Sequence, residues 1–183
     1  MARLAILDRD GVINADSDSF VRSVAEWQPL PGSIEAIARL HKAGFVVTVA
    51  SNQSGVGRGL FTRETVYGMH RKMRRLVRAA GGEIAAIAFC PHHPDEGCRG
   101  RKPRTGLYTR LANETGLPLE SALVVGDSLR DLEAGDRVGA DLWLVRTGKG
   151  PRSLAQAAEN PPAWWSRVRV AENLGAVVAA VTA

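Results

Sequence analysis

LAILDRDGVIN, residues 4–14, sets an apolar run of strand length directly against two aspartates, Asp8 and Asp10, and a glycine. Four consecutive apolar residues without polar alternation suit a strand covered on both faces, as in a parallel sheet packed between helices. The residues after the run are as informative as the run itself. In extended chain, positions two apart share a face, and a turn at Gly11 lets the carboxylates of Asp8 and Asp10 approach one point.

The same pattern recurs outward from this stretch. Strand-length apolar runs occur at FVVTVA (45–50), IAAIAF (84–89), ALVVG (122–126) and DLWLV (141–145). Between them lie helical periodicities. SIEAIARLHKAG (33–44) offers Ser33 as N-cap and Gly44 as stop, and the stretch 62–82 opens on Thr62 and closes on two glycines. Further helices are expected at about 106–115, 129–138, 153–159 and 172–181. The alternation predicts an α/β fold, a three-layer sandwich around a central parallel sheet. In such sheets ligands bind beyond the carboxyl ends of the strands. Asp8-Arg9-Asp10-Gly11 follows the first run, Ser51-Asn52-Gln53 the second, a Cys/His loop (90–101) the third, and Asp127-Ser128 the fourth.

Composition restricts the function classes. With 183 residues, 45% hydrophobic and 23% charged, the chain suits one globular domain, 1–183. The short spans between Gly11 and Ser33 and between Ser51 and Lys102 leave no room for a large cap domain, so loops at about 14–28, 53–61 and 90–101 are expected to wall the site. No apolar stretch approaches the ~20 residues of a membrane helix, and the chain starts without a leader pattern, so the expected setting is cytoplasmic. The two cysteines are then expected to be reduced thiols rather than a disulfide framework. The net charge of +5 draws on HRKMRRLVR (70–78), which reads as a solvated helix face rather than a nucleic-acid surface. Trp164 and Trp165 are adjacent and point apart, which gives no stacking platform. The expected partner is a small phosphorylated substrate, with no nucleic acid, no membrane and a monomeric state.

The polar clusters specify a chemistry. Asp8, Asp10 and Asp127 supply hard oxygen donors of the kind that bind Mg²⁺ where it meets a phosphate. Ser51 and Lys102 are placed to donate to phosphoryl oxygens, one carboxylate to attack phosphorus, and its neighbour to move protons. Each feature alone has a plainer reading: a strand-ending turn at Asp8, a turn at Ser51-Asn52, a helix cap at Asp127. Jointly these readings require several coincidences. Gly55, Gly57 and Gly59 lack the Lys-Ser/Thr of a phosphate-binding loop and read as a flexible turn beside the substrate. A receiver-type signalling module would also gather Mg²⁺, an acceptor Asp, a hydroxyl and a Lys, and Asp10, a second acid two residues on, favours turnover instead. A nucleic-acid 3′-phosphatase is a third alternative.

LAILDRDGVIN, Ser51 after the second strand, Lys102, and GDSLRD (126–131) resemble the four motifs of the haloacid dehalogenase-like phosphatases. The resemblance implies a Rossmann-like fold, Asp8 as nucleophile forming an aspartyl-phosphate, and Asp10 as acid and then base. It further implies Mg²⁺ held by Asp8, the Asp10 carbonyl and Asp127, with Asp131 in support. SNQSGVGRGLF, CPHHP, CRGRKP, VGDSLRDL and LVRTGKG extend the resemblance to the D-glycero-D-manno-heptose 1,7-bisphosphate phosphatases of lipopolysaccharide precursor synthesis, a pattern shared in large part with histidinol-phosphate phosphatases. Carried over, Asp16, Ser17, Asp18, Ser19, Ser51, Asn52, Gln53, Ser54, Arg101 and Lys102 contact the sugar phosphate. Relatives of this kind carry a zinc loop, Cys-x-His then Cys-x-Cys. Cys90, His92 and Cys98 match three ligands, and Gly100 stands in place of the fourth. The loop then binds zinc weakly, recruits His93, Asp95 or water, or does without metal.

Overall fold

The computed structural model describes residues 2–183. Its elements run β1 (Arg3–Leu7), α1 (Ser33–Lys42), β2 (Phe45–Asn52), α2 (Ser54–Gly57), α3 (Arg63–Ala79), β3 (Ala86–Cys90), α4 (Gly106–Thr115), β4 (Leu123–Gly126), α5 (Leu129–Asp136), β5 (Asp141–Val145), α6 (Gly150–Glu159), β6 (Arg169–Ala171) and α7 (Leu174–Val181). The six strands form one sheet in the order β3-β2-β1-β4-β5-β6, and every pairing is parallel.

Strand residues alternate between two separate cores. Ala5, Leu7, Val47, Val49, Leu123 and Val125 join one with residues of α1, α3 and α7. Leu4, Ile6, Ala50, Val124, Leu142 and Leu144 join the other with residues of α4 and α5. Burial on both faces explains why the strands read as continuous apolar runs, and it confirms the three-layer expectation. Between β1 and α1 the described chain holds only isolated bridges, Asp10 to Asn14 and Asn14 to Pro29, and no cap is interposed.

Several boundaries differ from expectation for identifiable reasons. Strand β2 runs on through Ser51 and Asn52, which pair with Phe89 and Cys90, because the parallel neighbour extends the ladder past the apolar run. Strand β3 begins at Ala86, so Ile84 contributes to the core from outside the ladder. The three-residue edge strand β6 was not anticipated, because its mostly exposed Arg169–Ala171 carries no apolar run and is defined only by pairing with β5. Helix α6 starts at Gly150 rather than 153, with Pro151 in its first turn, where a missing N–H costs nothing.

Ser33 is not the N-cap of α1. Gly32 takes that position with φ of 76°, and the Ser33 hydroxyl instead donates to the Ile13 carbonyl at 2.6 Å, tying the helix start to the loop after β1. Thr62 does cap α3, accepting from Thr65 N. The basic α3 is only partly a solvated face. Lys72 donates to the carbonyls of Val24 and Trp27, anchoring the 14–28 loop.

Candidate active site

The site stands where β1 and β4, the two central strands, release the chain. Leu7 is in register with Val125, and Asp8 N donates to Val125 O at 2.9 Å, so Asp8 and Asp127 emerge side by side. Gly11 and Gly148 close the turn beneath them, both with positive φ, and a Cβ on either would overlap the Asp127 carboxylate. Glycine is therefore required at both positions by the approach of a carboxylate as well as by backbone geometry.

Lys102 is 2% exposed, and its Nζ donates to Asp8 Oδ1 at 2.9 Å and to the Ala50 carbonyl at 2.7 Å and lies 2.6 Å from Asp131 Oδ1. Burial alone would lower its pKa, but the charges of Asp131 and Asp8 outweigh this and hold it above the ordinary lysine value. Asn52 clamps the backbone of Lys102 in both directions, accepting from its N–H at 3.0 Å and donating to its carbonyl at 3.1 Å.

Asp8 and Asp127 bear the cost of proximity. Burial, then the charge of Asp131, pushes Asp8 up to about 7. Burial, then the charges of Asp8 and Asp131, pushes Asp127 up to about 9. Like-charged carboxylates held together disfavour their own ionisation, and a cation between them reverses that preference. Oxygens of Asp8, Asp127 and Asp131 lie within 4.8 Å of one another, an all-oxygen set suited to a hard divalent ion. Asp131 is already engaged at both oxygens: Oδ1 faces Lys102, and Oδ2 accepts from Ser128 N and Oγ. Its part is to hold Lys102 and the start of α5.

Asp10 differs from its neighbour. Burial would raise it, but Arg9, Asn14 and Gln53 outweigh that and hold it below the ordinary carboxylate value. Arg9 Nη2 is 2.9 Å and Asn14 Nδ2 2.8 Å from Oδ1, and Gln53 Nε2 is 2.7 Å from Oδ2. Asp10 therefore rests as a carboxylate in the free protein, so an acid role requires proton uptake when an anion binds beside it.

A cavity of about 240 Å³ opens over these groups. Asp8, Asp10, Asn52, Gln53, Ser54, Lys102, Asp127 and Asp131 line it, together with Arg101 and, from the 14–28 loop, Asp16, Ser17 and Asp18. Two expected contacts are displaced. Ser51 is 1% exposed and lies behind the lining, where its Oγ accepts from Gln53 Nε2 at 2.7 Å. Ser19 is exposed and off the cavity, with its N–H turned to Ser17 Oγ. The 54–57 segment is a helical turn rather than a flexible one, because Gly57 N donates to Pro91 O at 2.8 Å and pins it to the Cys/His loop.

Sequence reading missed one wall. Arg130, Lys149 and Arg152 line the cavity beside Ser128, and Lys149 N donates to Asp127 Oδ2 at 2.8 Å. The signal was present, since 146–152 follows the carboxyl end of β5 as the other site loops follow theirs. Arg9 was also overlooked. It is completely buried behind Asp10, with Nη1 3.3 Å from Met69 Sδ.

Sγ of Cys90 and Cys98 and a ring nitrogen of His92 lie within 4.8 Å of one another, and both cysteines are free. Burial pushes the Cys90 thiol above its ordinary pKa. Gly100 N points at Cys98 Sγ from 3.3 Å, so the residue in the fourth position is at the cluster but offers it only an N–H. Three of the four donors of a closed zinc site are therefore present.

A model of the haloacid dehalogenase-like hydrolase family matches residues 2–139. The D-glycero-beta-D-manno-heptose-1,7-bisphosphate 7-phosphatase of Pseudomonas putida is 52% identical over 83% of this chain and 87% of its own. The enzyme of that name from Bordetella bronchiseptica is 49% identical over 96% and 95%. The crystal structure of D,D-heptose 1,7-bisphosphate phosphatase from B. bronchiseptica, complexed with magnesium and phosphate, superposes with a TM-score of 0.91 at 48% identity, covering 98% of this chain and 97% of that one.

Proposed function

From the premise that this chain belongs to the haloacid dehalogenase-like hydrolases, we propose that it is a Mg²⁺-dependent phosphatase that removes the 7-phosphate from D-glycero-β-D-manno-heptose 1,7-bisphosphate. The reading rests on Asp8, a carboxylate fixed at the end of the central strand with Lys102 2.9 Å away and Asp127 beside it. The names of its relatives at about half identity supply the substrate and its anomer.

An Asp8 oxygen attacks phosphorus, the bond from phosphorus to the C7 oxygen breaks, and Asp10 gives that oxygen its proton. Asp10 then takes a proton from water as the water oxygen attacks the aspartyl-phosphate, freeing Asp8 and inorganic phosphate. Lys102 faces the transferring group, and the Asn52 clamp and Asp131 hold it there. Ser51 acts through Gln53, to which it is hydrogen-bonded, and Gln53 in turn holds Asp10. Arg101, Ser54 and Asp16 to Asp18 surround the sugar. Asp8, Asp127 and the Asp10 carbonyl would hold Mg²⁺, which when bound neutralises charge on the phosphoryl oxygens.

Cys90, His92 and Cys98 would hold zinc through three donors, more weakly than a closed four-ligand site, with no part in the chemical step. We read residues 1–183 as one phosphatase domain walled by its loops, working as a cytoplasmic monomer. No described helix is long and apolar enough to cross a membrane.

The test is Mg²⁺-dependent phosphate release from both anomers of the heptose bisphosphate, fructose 1,6-bisphosphate and histidinol phosphate. The expected result is the highest kcat/KM for the β-anomer with a single phosphate lost from C7. Preference for histidinol phosphate overturns the substrate, and turnover of none overturns the reaction.

A further inference from the structure

A second cavity, of about 740 Å³, lies between α5, α6 and the segment that follows α6, and its size is that of a small-molecule site. Arg152, Gln156 and Asn160 stand four residues apart, so they line it in a row along one side of α6. At about 1.5 Å per residue the row spans about 12 Å, room for a base, a sugar and phosphate set end to end.

The two ends of the row differ in chemistry. At the end beside the catalytic cavity stand three cations, Arg130, Lys149 and Arg152, which line both cavities. Arg130 forms no ion pair among the described residues. Arg152 meets Asp18 only at 4.0 Å with both side chains in solvent, a pair of little worth that leaves the guanidinium open to a phosphate. At the far end stands Trp164, half-buried, packed against the core that holds Leu142 and Leu144 and lining the cavity. Its backbone is fixed by a short turn, in which Trp165 N donates to Pro162 O at 2.9 Å and Arg167 N to Trp164 O at 3.0 Å. Trp165 does not line the cavity, so a single ring is presented. Between the ends, Gln156 and Asn160 are exposed, and each side-chain amide offers both donors and an acceptor.

We infer that this cavity takes a nucleoside phosphate, with its base stacked on Trp164, the edge of the base on Gln156 and Asn160, and its phosphates on Arg130 and Arg152. A base is the ligand group that uses a π-face and mixed donors and acceptors together. A bare sugar phosphate engages only the cationic end. Because Arg130, Lys149 and Arg152 belong to both cavities, the bound nucleotide obstructs the catalytic one and inhibits it. The site stands apart from the reaction proposed above, and only the inhibition rests on that reading.

Isothermal titration with Mg²⁺ chelated, so that no hydrolysis intervenes, measures binding of ADP, adenosine and ribose 5-phosphate to wild type, Trp164→Leu, Trp164→Phe and Gln156→Ala. ADP is expected to bind at least about tenfold more tightly than either fragment. Trp164→Leu is expected to weaken ADP by about ten- to a hundredfold and to leave ribose 5-phosphate within about twofold, whereas Trp164→Phe keeps most of the affinity. Gln156→Ala, an exposed change on α6, is expected to weaken ADP by about threefold. No ADP binding, ribose 5-phosphate bound as tightly as ADP, or unchanged ADP affinity in Trp164→Leu or Gln156→Ala each overturn the site. In a second arm ADP is expected to inhibit phosphate release from the heptose bisphosphate, at least about tenfold less potently with Trp164→Leu than with wild type. Equal potency would put ADP in the catalytic cavity and overturn the assignment. If wild type releases no phosphate from the heptose bisphosphate, the functional reading falls while the titration still decides the nucleotide site.

Discussion

Among the described residues stand two clusters of three potential metal-ligating groups, each within 4.8 Å, and they are built in opposite ways. Asp8 and Asp127 stand at the ends of neighbouring central strands, and Asp131 on the first turn of α5, so backbone pairing fixes them whether or not a cation is present. The cost of that rigidity is mutual repulsion, visible in the raised Asp8 and Asp127. Cys90, His92 and Cys98 sit at and after the end of β3 in a loop whose fourth position, Gly100, has no side chain. That loop is held by Asn52 on Lys102, Arg104 on the Gly97 and Cys98 carbonyls, and Gly57 on Pro91. The carboxylate cluster is assembled in advance by the sheet, whereas the Cys/His cluster stands on a loop that other contacts carry.

The sharpest way to break this comparison is at the carboxylates. Asp8→Asn removes the proposed nucleophile and is expected to lower kcat by at least about 10³-fold, and Asp10→Asn by about 10²–10⁴-fold with phosphate trapped on Asp8. Phosphate release and acid-quenched phosphoprotein measure both, and near-wild-type turnover by Asp8→Asn would remove the mechanism.

A smaller effect follows from the electrostatics. Because Asp8 and Asp127 are raised to about 7 and about 9, the folded protein without metal keeps protons that the unfolded chain releases near the ordinary carboxylate value of 3.8. Their contribution to stability is complete below that value and is lost as pH rises through about 7 and about 9. Since Mg²⁺ needs them ionised, its stabilisation should increase across the same range. Thermal unfolding with Mg²⁺ and with a chelator should therefore show a larger Tm gain at alkaline than at mildly acidic pH. An equal gain would mean that the repulsion is not what the cation relieves.

The smallest expected change lies in the loop. A Cβ at Gly100 would stand 3.6 Å from Cys98 Sγ in ordinary contact, so Gly100→Cys can complete the set without strain. Zinc content by elemental analysis should rise to about one per chain and resist chelation better than in wild type, with kcat changed less than about threefold. A variant that gains no zinc would show that the cluster is not a metal site.

Much of this site was legible because a parallel sheet converts chain order into position. Once the apolar runs were recognised as strands, Asp8, Asn52, Cys90 and Asp127 had to cluster at one edge of the sheet. Lys102 was identified from its motif, but its burial between Asp8 and Asp131 depends on the Asn52 clamp, a pairing across 50 residues with no local signature. Lys149 and Arg152 received no role although they follow a strand end, because their loop, 146–152, holds no carboxylate and a single hydroxyl, Thr147.

The sequence by itself determined the layered α/β fold and the strand-end carboxylates Asp8, Asp10 and Asp127, since these follow from local periodicity, strand ends and residue identity, while the missing fourth thiol was legible only through the family resemblance. Tertiary structure alone decided which aspartate is held ionised and which is raised, why Ser51 stands behind Gln53, and where Arg130, Arg152 and Trp164 face a second cavity. Those properties depend on burial and on charges brought together from distant segments, and electrostatic energy depends on distance and dielectric, which a linear sequence does not contain.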